Sequence, residues 1–339
     1  MTRRQTICVL GAGSWGITLA NYLTDLGHRL RLWEFDPAVA ERLDRERQRR
    51  EMLPDVTIQA GIRITSDLAA AVCNAEILFL VVPSHVCRSV LQSLKTTPMR
   101  VDALLVSCSK GIENDTQMRI SEIVQQVMPQ FNFDRFAVLS GPSHAEEVGK
   151  RIPTAVVVAS QSEEYAAVLQ RTLSSNFFRI YRGCDIAGVE LGGSLKNVIA
   201  IAAGICDGAG FGDNTKAALQ PRGLAEITRL GRKLGADPLT FAGLSGMGDL
   251  IVTCMSRHSR NRYLGEQIGR GKTLTQALES MTMVAEGVRT CKSAVVLADQ
   301  HQVDMPICRQ VYEILFHQKD PGHSLVELMS REGKPEVWF

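Results

Sequence analysis

The chain has 339 residues, 45% hydrophobic and 22% charged, which is ordinary globular composition with room for about two domains. A formal net charge of +2 argues against a nucleic-acid-binding surface or a membrane-binding patch. Nine scattered cysteines form no CxxC pair, so the pattern points to reduced, buried thiols in a cytoplasmic protein rather than a disulfide framework or a zinc site.

The N-terminus "MTRRQTICVLGAG" runs directly into a strand, with no signal-peptide core, and "ILFLVVP" (77–83) is too short to cross a bilayer. "TICVLG" (6–11) predicts the first strand and Trp15 to Asp25 an amphipathic helix closed by Gly27. "RLRLWEF" (29–35) is the next strand. The charge run "ERLDRERQRRE" (41–51) has Glu46/Arg50 and Arg47/Glu51 at helical spacing and reads as a solvated helix face. "AEILFLVVP" (75–83) is a continuous apolar run, typical of a strand buried on both faces of a parallel sheet. "ALLVSCSKG" (103–111), "FAVLSGP" (136–142) and "TAVVVAS" (154–160) repeat that pattern. Strands alternating with helical segments predict an α/β fold with a Rossmann-like doubly wound sheet in residues 1–188.

The first turn is "GAGSWG" (11–16), a GxGxxG pattern between a strand and a helix. Gly11 suits the tight turn, Gly13 lets backbone approach a pyrophosphate, and Gly16 lets the helix pack closely. The helix N-terminus then offers N–H groups to phosphates. Glu34, at the end of the second strand, can accept from a ribose 2′-hydroxyl and repels a 2′-phosphate, which favours NAD over NADP. Arg31 or the arginines at 42–50 could still be positioned for a phosphate. "VVPSH" (81–85), "SKGIE" (109–113) and "SGPSHAEE" (140–147) leave other strands. Lys110 is a candidate ligand there or a surface lysine; His85 and His144 read as turn or capping residues.

After "FFRIYR" (177–182) the strand signals fade. Helices are predicted over 194–206, 215–235, 259–271, 273–280, 289–301 and 306–317, with Pro221 kinking the second or marking its ordered start. Residues 189–339 are therefore expected to form an all-helical domain, with a substrate cleft against the first. Lys196 falls where a buried run begins, near a predicted helix N-terminus and beside Gly192 and Gly193. A buried amine there would have a lowered pKa and could exchange a proton with an alkoxide; the alternative is a lysine whose head reaches water. Asp249, in "GLSGMGDLIVTC" (243–254), could partner that ammonium or cap a helix. Ser259, Arg260 and Asn261 could make a phosphate cradle at a helix start or an exposed basic loop.

These strings, together with "GVELGGSLKNVIAIAAGICDGAGFGDNTKAAL", "SRNRYLG" and "AEGVRT", run in order along nearly the whole chain. They closely resemble the NAD(P)-dependent glycerol-3-phosphate dehydrogenases of bacterial type. The resemblance implies reversible reduction of dihydroxyacetone phosphate to sn-glycerol 3-phosphate, supplying phospholipid synthesis in the cytoplasm. It implies Lys196 as proton donor and acceptor, Lys110 as a second lysine contacting substrate and cofactor, and Asp249 as the acid that positions the catalytic lysine. Gly141 and Ser143 match substrate contacts. Ser259, Arg260 and Asn261 match the phosphate end, with Arg260 also near the dinucleotide. Ser14, Trp15, Ala145, Val284 and Glu286 match cofactor contacts. It further implies a homodimer formed through the helical half. No metal is expected, because two ammonium groups already do the electrophilic work, and the charge balance points to neither nucleic acid nor membrane insertion. Two positions depart from the family pattern: His144 stands where phenylalanine is usual, and Pro221 where threonine is usual. Another two-domain dehydrogenase, of β-hydroxyacid or ketopantoate type, would lack "SRNR" after the "GDL" turn; a non-catalytic dinucleotide sensor would lack Lys110, Lys196 and Asp249.

Overall fold

The computed structural model describes residues 3–281, 283–333 and 335–336. Eight strands form one sheet: β1 (Thr6–Leu10), β2 (Arg29–Trp33), β3 (Arg63–Thr65), β4 (Ile77–Leu80), β5 (Leu104–Ser107), β6 (Phe136–Ser140), β7 (Thr154–Ala159) and β8 (Phe178–Gly183). Their order is β3-β2-β1-β4-β5-β6-β7-β8. Alternate residues of each central strand feed cores on opposite faces. Ile7, Val9 and Phe79 pack in one, and Cys8, Leu10, Leu78 and Leu80 in the other. That double burial is why these strands are apolar along nearly all their length.

All neighbours pair parallel except β6 and β7, which are antiparallel. The departure from a uniformly parallel sheet has a simple cause. The helix joining β6 to β7, Ala145–Gly149, has five residues, about 7.5 Å of rise. It cannot carry the chain back to the far end of the sheet, so β7 starts where β6 finishes. Between β1 and β4 the strand order reverses, and the loops after these two strands part to opposite faces. This leaves a crevice at the carboxyl edge, where open α/β sheets bind ligands.

Helices flank the sheet, and the chain beyond Gly183 is helical. The central helix Ile186–Ala209 is buried at every position from Gly188 to Cys206. Helices Asp213–Lys233, Asp249–Met255, Arg260–Gly269, Glu286–Gln300 and Pro306–His317 pack around it. It is long and apolar enough to cross a bilayer, yet its apolar window lies wholly inside the protein, as expected of a helix apolar all round. Against Arg260–Gly269 the approach is backbone to backbone. A methyl at Gly204 would stand 1.9 Å from the Arg262 carbonyl oxygen, and one at Gly265 2.0 Å from that of Ile201.

Ile186 and Val189 join the sheet's core, while Leu191 onward builds the helical one. Between them the buried Glu190 carboxylate accepts from Ser121 N at 2.8 Å and Arg119 Nη1 at 3.2 Å. The two cores thus share this helix, and the Glu190–Arg119 ion pair lies between them.

Three expectations are corrected. The central helix begins at Ile186, not 194, so Lys196 lies in its third turn, beyond the reach of the N-terminal dipole. The helix Asp213–Lys233 contains Pro221 in its interior, so the proline does not mark its start. The charged run is not one helix face: the helix Pro37–Glu46 ends before Arg47, which adopts a left-handed φ of 54°. Arg42 instead pairs with Glu51 at 2.7 Å, Arg47 with Asp44 at 2.6 Å and Arg49 with Glu34 at 2.8 Å.

Candidate active site

One carboxylate holds two ammonium groups at the seam between sheet and helices. Asp249 is the first residue of the helix Asp249–Met255 and is 1% exposed. Its Oδ1 accepts from Lys196 Nζ and its Oδ2 from Lys110 Nζ at 2.7 Å. Lys196 is 5% exposed and donates also to Thr253 Oγ1 at 2.7 Å. The Thr253 hydroxyl in turn donates to the Asp249 carbonyl at 2.5 Å. Lys110 arrives from the loop after β5 and donates to the Gly141 carbonyl at 3.2 Å. Both readings left open by sequence are thereby decided. Lys196 does not reach solvent, and the Asp249 side chain does not cap a helix.

Packing makes this convergence possible. A methyl at Gly192 would lie 2.7 Å from the Ser245 carbonyl oxygen, and one at Gly193 2.8 Å from Ser140 Oγ. The central helix therefore abuts both the carboxyl end of β6 and the glycine-rich segment before Asp249. Burial pushes the Lys196 amine down to about 7, with Lys110 lowering it further and Asp249 pulling it up. Burial raises the Asp249 carboxyl, but the charges of Lys110 and Lys196 outweigh it and hold the acid below the usual carboxylate range. The cluster is an ionised acid with an amine poised near neutrality, a combination suited to proton transfer.

The glycine loop lies at the reversal point of the sheet. No side chain caps the helix Ser14–Asp25, and a methyl at Gly13 would meet nothing within 4 Å. Gly16 has no room for one: it would lie 1.9 Å from the Gly11 carbonyl oxygen. Gly11 itself has φ 114°, open to glycine and strained for other residues. Uncapped N–H groups above open space, on a loop only glycines can form, fit a dinucleotide pyrophosphate. Ser14 Oγ donates to the Met52 carbonyl at 3.0 Å. Trp15 packs on the sheet's core, its ring 6.4 Å from that of Phe178.

Glu34 sits at the end of β2, and Arg49 bridges it to the loop, donating from Nη1 to Glu34 Oε2 and to the Ala12 carbonyl, each at 2.8 Å. Sequence reasoning set Arg49 in a solvated face. Only the chain reversal at Arg47 turns it inward, and the run of charges gave no sign of that.

The phosphate-end candidates lie on the other side. Ser259 is the N-cap of the helix Arg260–Gly269, its Oγ accepting from Arg262 N at 3.2 Å, and Arg260 is exposed beside it. Asn261, the next residue, is tied into the helical core. Its amide donates to Asn197 Oδ1 at 3.0 Å and accepts from Gly287 N at 2.9 Å, tying three helices together. A cleft of about 450 Å³ is lined by Met52, Glu146, His258, Ser259, Arg260 and Met283, among others. Ser143 Oγ donates to the Gly141 carbonyl at 3.0 Å, and the Ala145 carbonyl accepts from Thr18 Oγ1 at 3.2 Å. Val284 is 44% exposed. Glu286 accepts from Ser84 Oγ at 2.8 Å, joining the "AEG" segment to the loop after β4. Thr253 escaped sequence reasoning, although its position four residues after Asp249 puts both on one helix face.

Two family models match the chain: the N-terminal part of NAD-dependent glycerol-3-phosphate dehydrogenase over residues 6–166, and its C-terminal part over residues 185–326. A relative from Chlorobium phaeobacteroides, named glycerol-3-phosphate dehydrogenase (NAD(P)+), is 49% identical over 333 residues, covering 98% of this chain and 99% of its own. One of the same name from Thermoanaerobacter is 50% identical over 331 residues, 98% of each chain. The crystal structure of glycerol-3-phosphate dehydrogenase from Coxiella burnetii superposes with a TM-score of 0.92 at 34% identity, covering 97% of this chain and 99% of that one.

Proposed function

The chain belongs to the NAD-dependent glycerol-3-phosphate dehydrogenase family, and from that membership we propose the role of each side chain in its reaction. It is an NAD(P)-dependent oxidoreductase that reversibly reduces dihydroxyacetone phosphate to sn-glycerol 3-phosphate. The observation that carries the residue assignment is the buried Lys196–Asp249–Lys110 cluster, placed where the sheet meets the helical core.

The nicotinamide, when bound, supplies or accepts the hydride at the substrate's carbonyl carbon. Arg260 and the N-terminus of the helix Arg260–Gly269 hold the substrate phosphate, with Ser259 fixing that helix start. This remote binding energy orients the ketone against the amines. Lys196 gives a proton to the carbonyl oxygen as negative charge develops there, and reclaims it in the reverse direction. Lys110 stabilises the same charge. Asp249 holds both ammonium groups and keeps Lys196 from turning away. Gly141 and Ser143 line the substrate. Gly11, Gly13, Ser14, Trp15, Gly16, Glu34, Lys110, Ala145, Arg260, Val284 and Glu286 contact the dinucleotide. We further place the domain division at residues 1–188 and 189–339, the protein in the cytoplasm as a homodimer, and its product in phospholipid synthesis.

Glu34 sets the coenzyme choice in this reading. NADH should be consumed on addition of dihydroxyacetone phosphate, and faster than NADPH. Glu34→Ser, which removes the acid and releases Arg49, should move the ratio of kcat/KM toward NADPH by about tenfold or more, the scale of one charge contact to a phosphate. No consumption of either coenzyme would refute the function, and an unmoved ratio would refute the role of Glu34.

A further inference from the structure

The side chain of His144 has no part in the proposed chemistry, although the backbone carbonyl of that residue accepts from Glu147 N and Val148 N. It follows β6 in the turn whose Gly141 carbonyl accepts from Lys110, and it holds the N-cap position of the helix Ala145–Gly149 without its side chain capping that helix. The ring lies 6.0 Å from that of His258, centroid to centroid, and His258 immediately precedes Ser259. The imidazole thus stands between the ammonium pair and the phosphate end of the site. Its Nε2 is shut off from solvent and has no hydrogen-bond partner among the described residues.

The surroundings define what could complete it. The charged and titratable groups that act on the ring are Lys196, Asp249, Lys110 and His258. The first three are already bonded to one another. Burial, with the ammonium of Lys196 beside it, holds the imidazole neutral, its pKa down to about 4. A neutral ring carries one N–H and one bare nitrogen. A buried ring nitrogen left unpaired is a costly state that native proteins rarely keep without a ligand or an ordered water to satisfy it. Two ammonium groups and a helix N-terminus draw an anion into this space, and a phosphate oxygen is the acceptor that such an N–H would meet.

We infer that His144 is a substrate-binding residue whose Nε2–H donates a hydrogen bond to a phosphate oxygen of the substrate. The inference rests on the functional reading above. It adds a neutral donor to the cradle of Ser259 and Arg260. Phosphate recognition is then shared between the sheet side and the helical side of the cleft.

The test compares wild type, His144→Phe and His144→Gln, with inorganic phosphate as a competitive probe. His144→Phe should raise KM for dihydroxyacetone phosphate and the inhibition constant of phosphate together, by about ten- to a hundredfold, the range of one hydrogen bond to a charged group. KM for NADH should stay unchanged. His144→Gln, which keeps a donor, should recover most of the loss. The melting temperature of His144→Phe should not fall, because an apolar ring replaces an unsatisfied one. Constants within about twofold of wild type in His144→Phe would mean that no substrate oxygen meets Nε2 and would overturn the proposal. So would a rise in KM without a rise in the phosphate constant. A wild type that turns over no dihydroxyacetone phosphate would instead overturn the functional reading on which the proposal stands.

Discussion

An ammonium taken out of water becomes a better proton donor, and the carboxylate beside it decides how far that goes. At Lys196 burial wins, and the amine is lowered to about 7 although Asp249 opposes the shift. In the proposed mechanism reduction requires the protonated Lys196 amine, so kcat/KM for dihydroxyacetone phosphate should hold at low pH and fall as pH rises through about 7. Oxidation of glycerol 3-phosphate requires the neutral amine and should rise over the same interval. Steady-state rates in both directions from pH 5.5 to about 9 check this; parallel profiles would show that another group governs proton transfer. Lys196, Lys110 and Asp249 were legible because a lysine at the head of a buried run and an acid among glycines are costly unless they meet. Thr253 and Arg49 were not, since a hydroxyl and a surface-type arginine cost nothing until the backbone turns them inward.

Secondary structure sets the distances between those residues. The central helix and Arg260–Gly269 approach through Gly204 and Gly265, which fixes Ser259 and Arg260 relative to Lys196. Gly265→Ala would drive a methyl to 2.0 Å from the Ile201 carbonyl oxygen, so the helices must separate. We expect a loss of about 1–3 kcal/mol in stability, the usual cost of overpacking, read from urea unfolding. KM for dihydroxyacetone phosphate should rise more than KM for NADH, because Arg260 moves with the helix while the glycine loop stays on the sheet. Unaltered stability and KM would mean that the contact does not fix the site. Strands and long helices were visible in the pattern of apolar residues. The early start of the central helix was hidden because its first turns carry Gly188, Glu190, Gly192 and Gly193, a composition that reads as a loop. Helix Pro321–Met329 was missed because much of it is exposed, including Val326 and Met329.

In the proposed mechanism the two halves of one reaction fall largely to two layers: the carboxyl edge of the sheet holds most of the dinucleotide, and the helical core carries the proton. Glu190, bonded to Arg119 and Ser121, is one of the ties that keep them in register. Strand–helix alternation giving way to helix made this architecture readable from the residues. The antiparallel β7 was not, because a strand buried on both faces has the same composition whichever way it runs. The division of labour predicts that chemistry and coenzyme binding can be separated by a single substitution in the helical layer. Lys196→Met keeps the length and volume of the side chain and removes its proton. Fluorescence titration with NADH and turnover of dihydroxyacetone phosphate in this variant should show a Kd within about twofold of wild type and a kcat lower by about a hundred- to ten-thousandfold, the scale of lost general acid catalysis. A near-normal kcat would contradict the account.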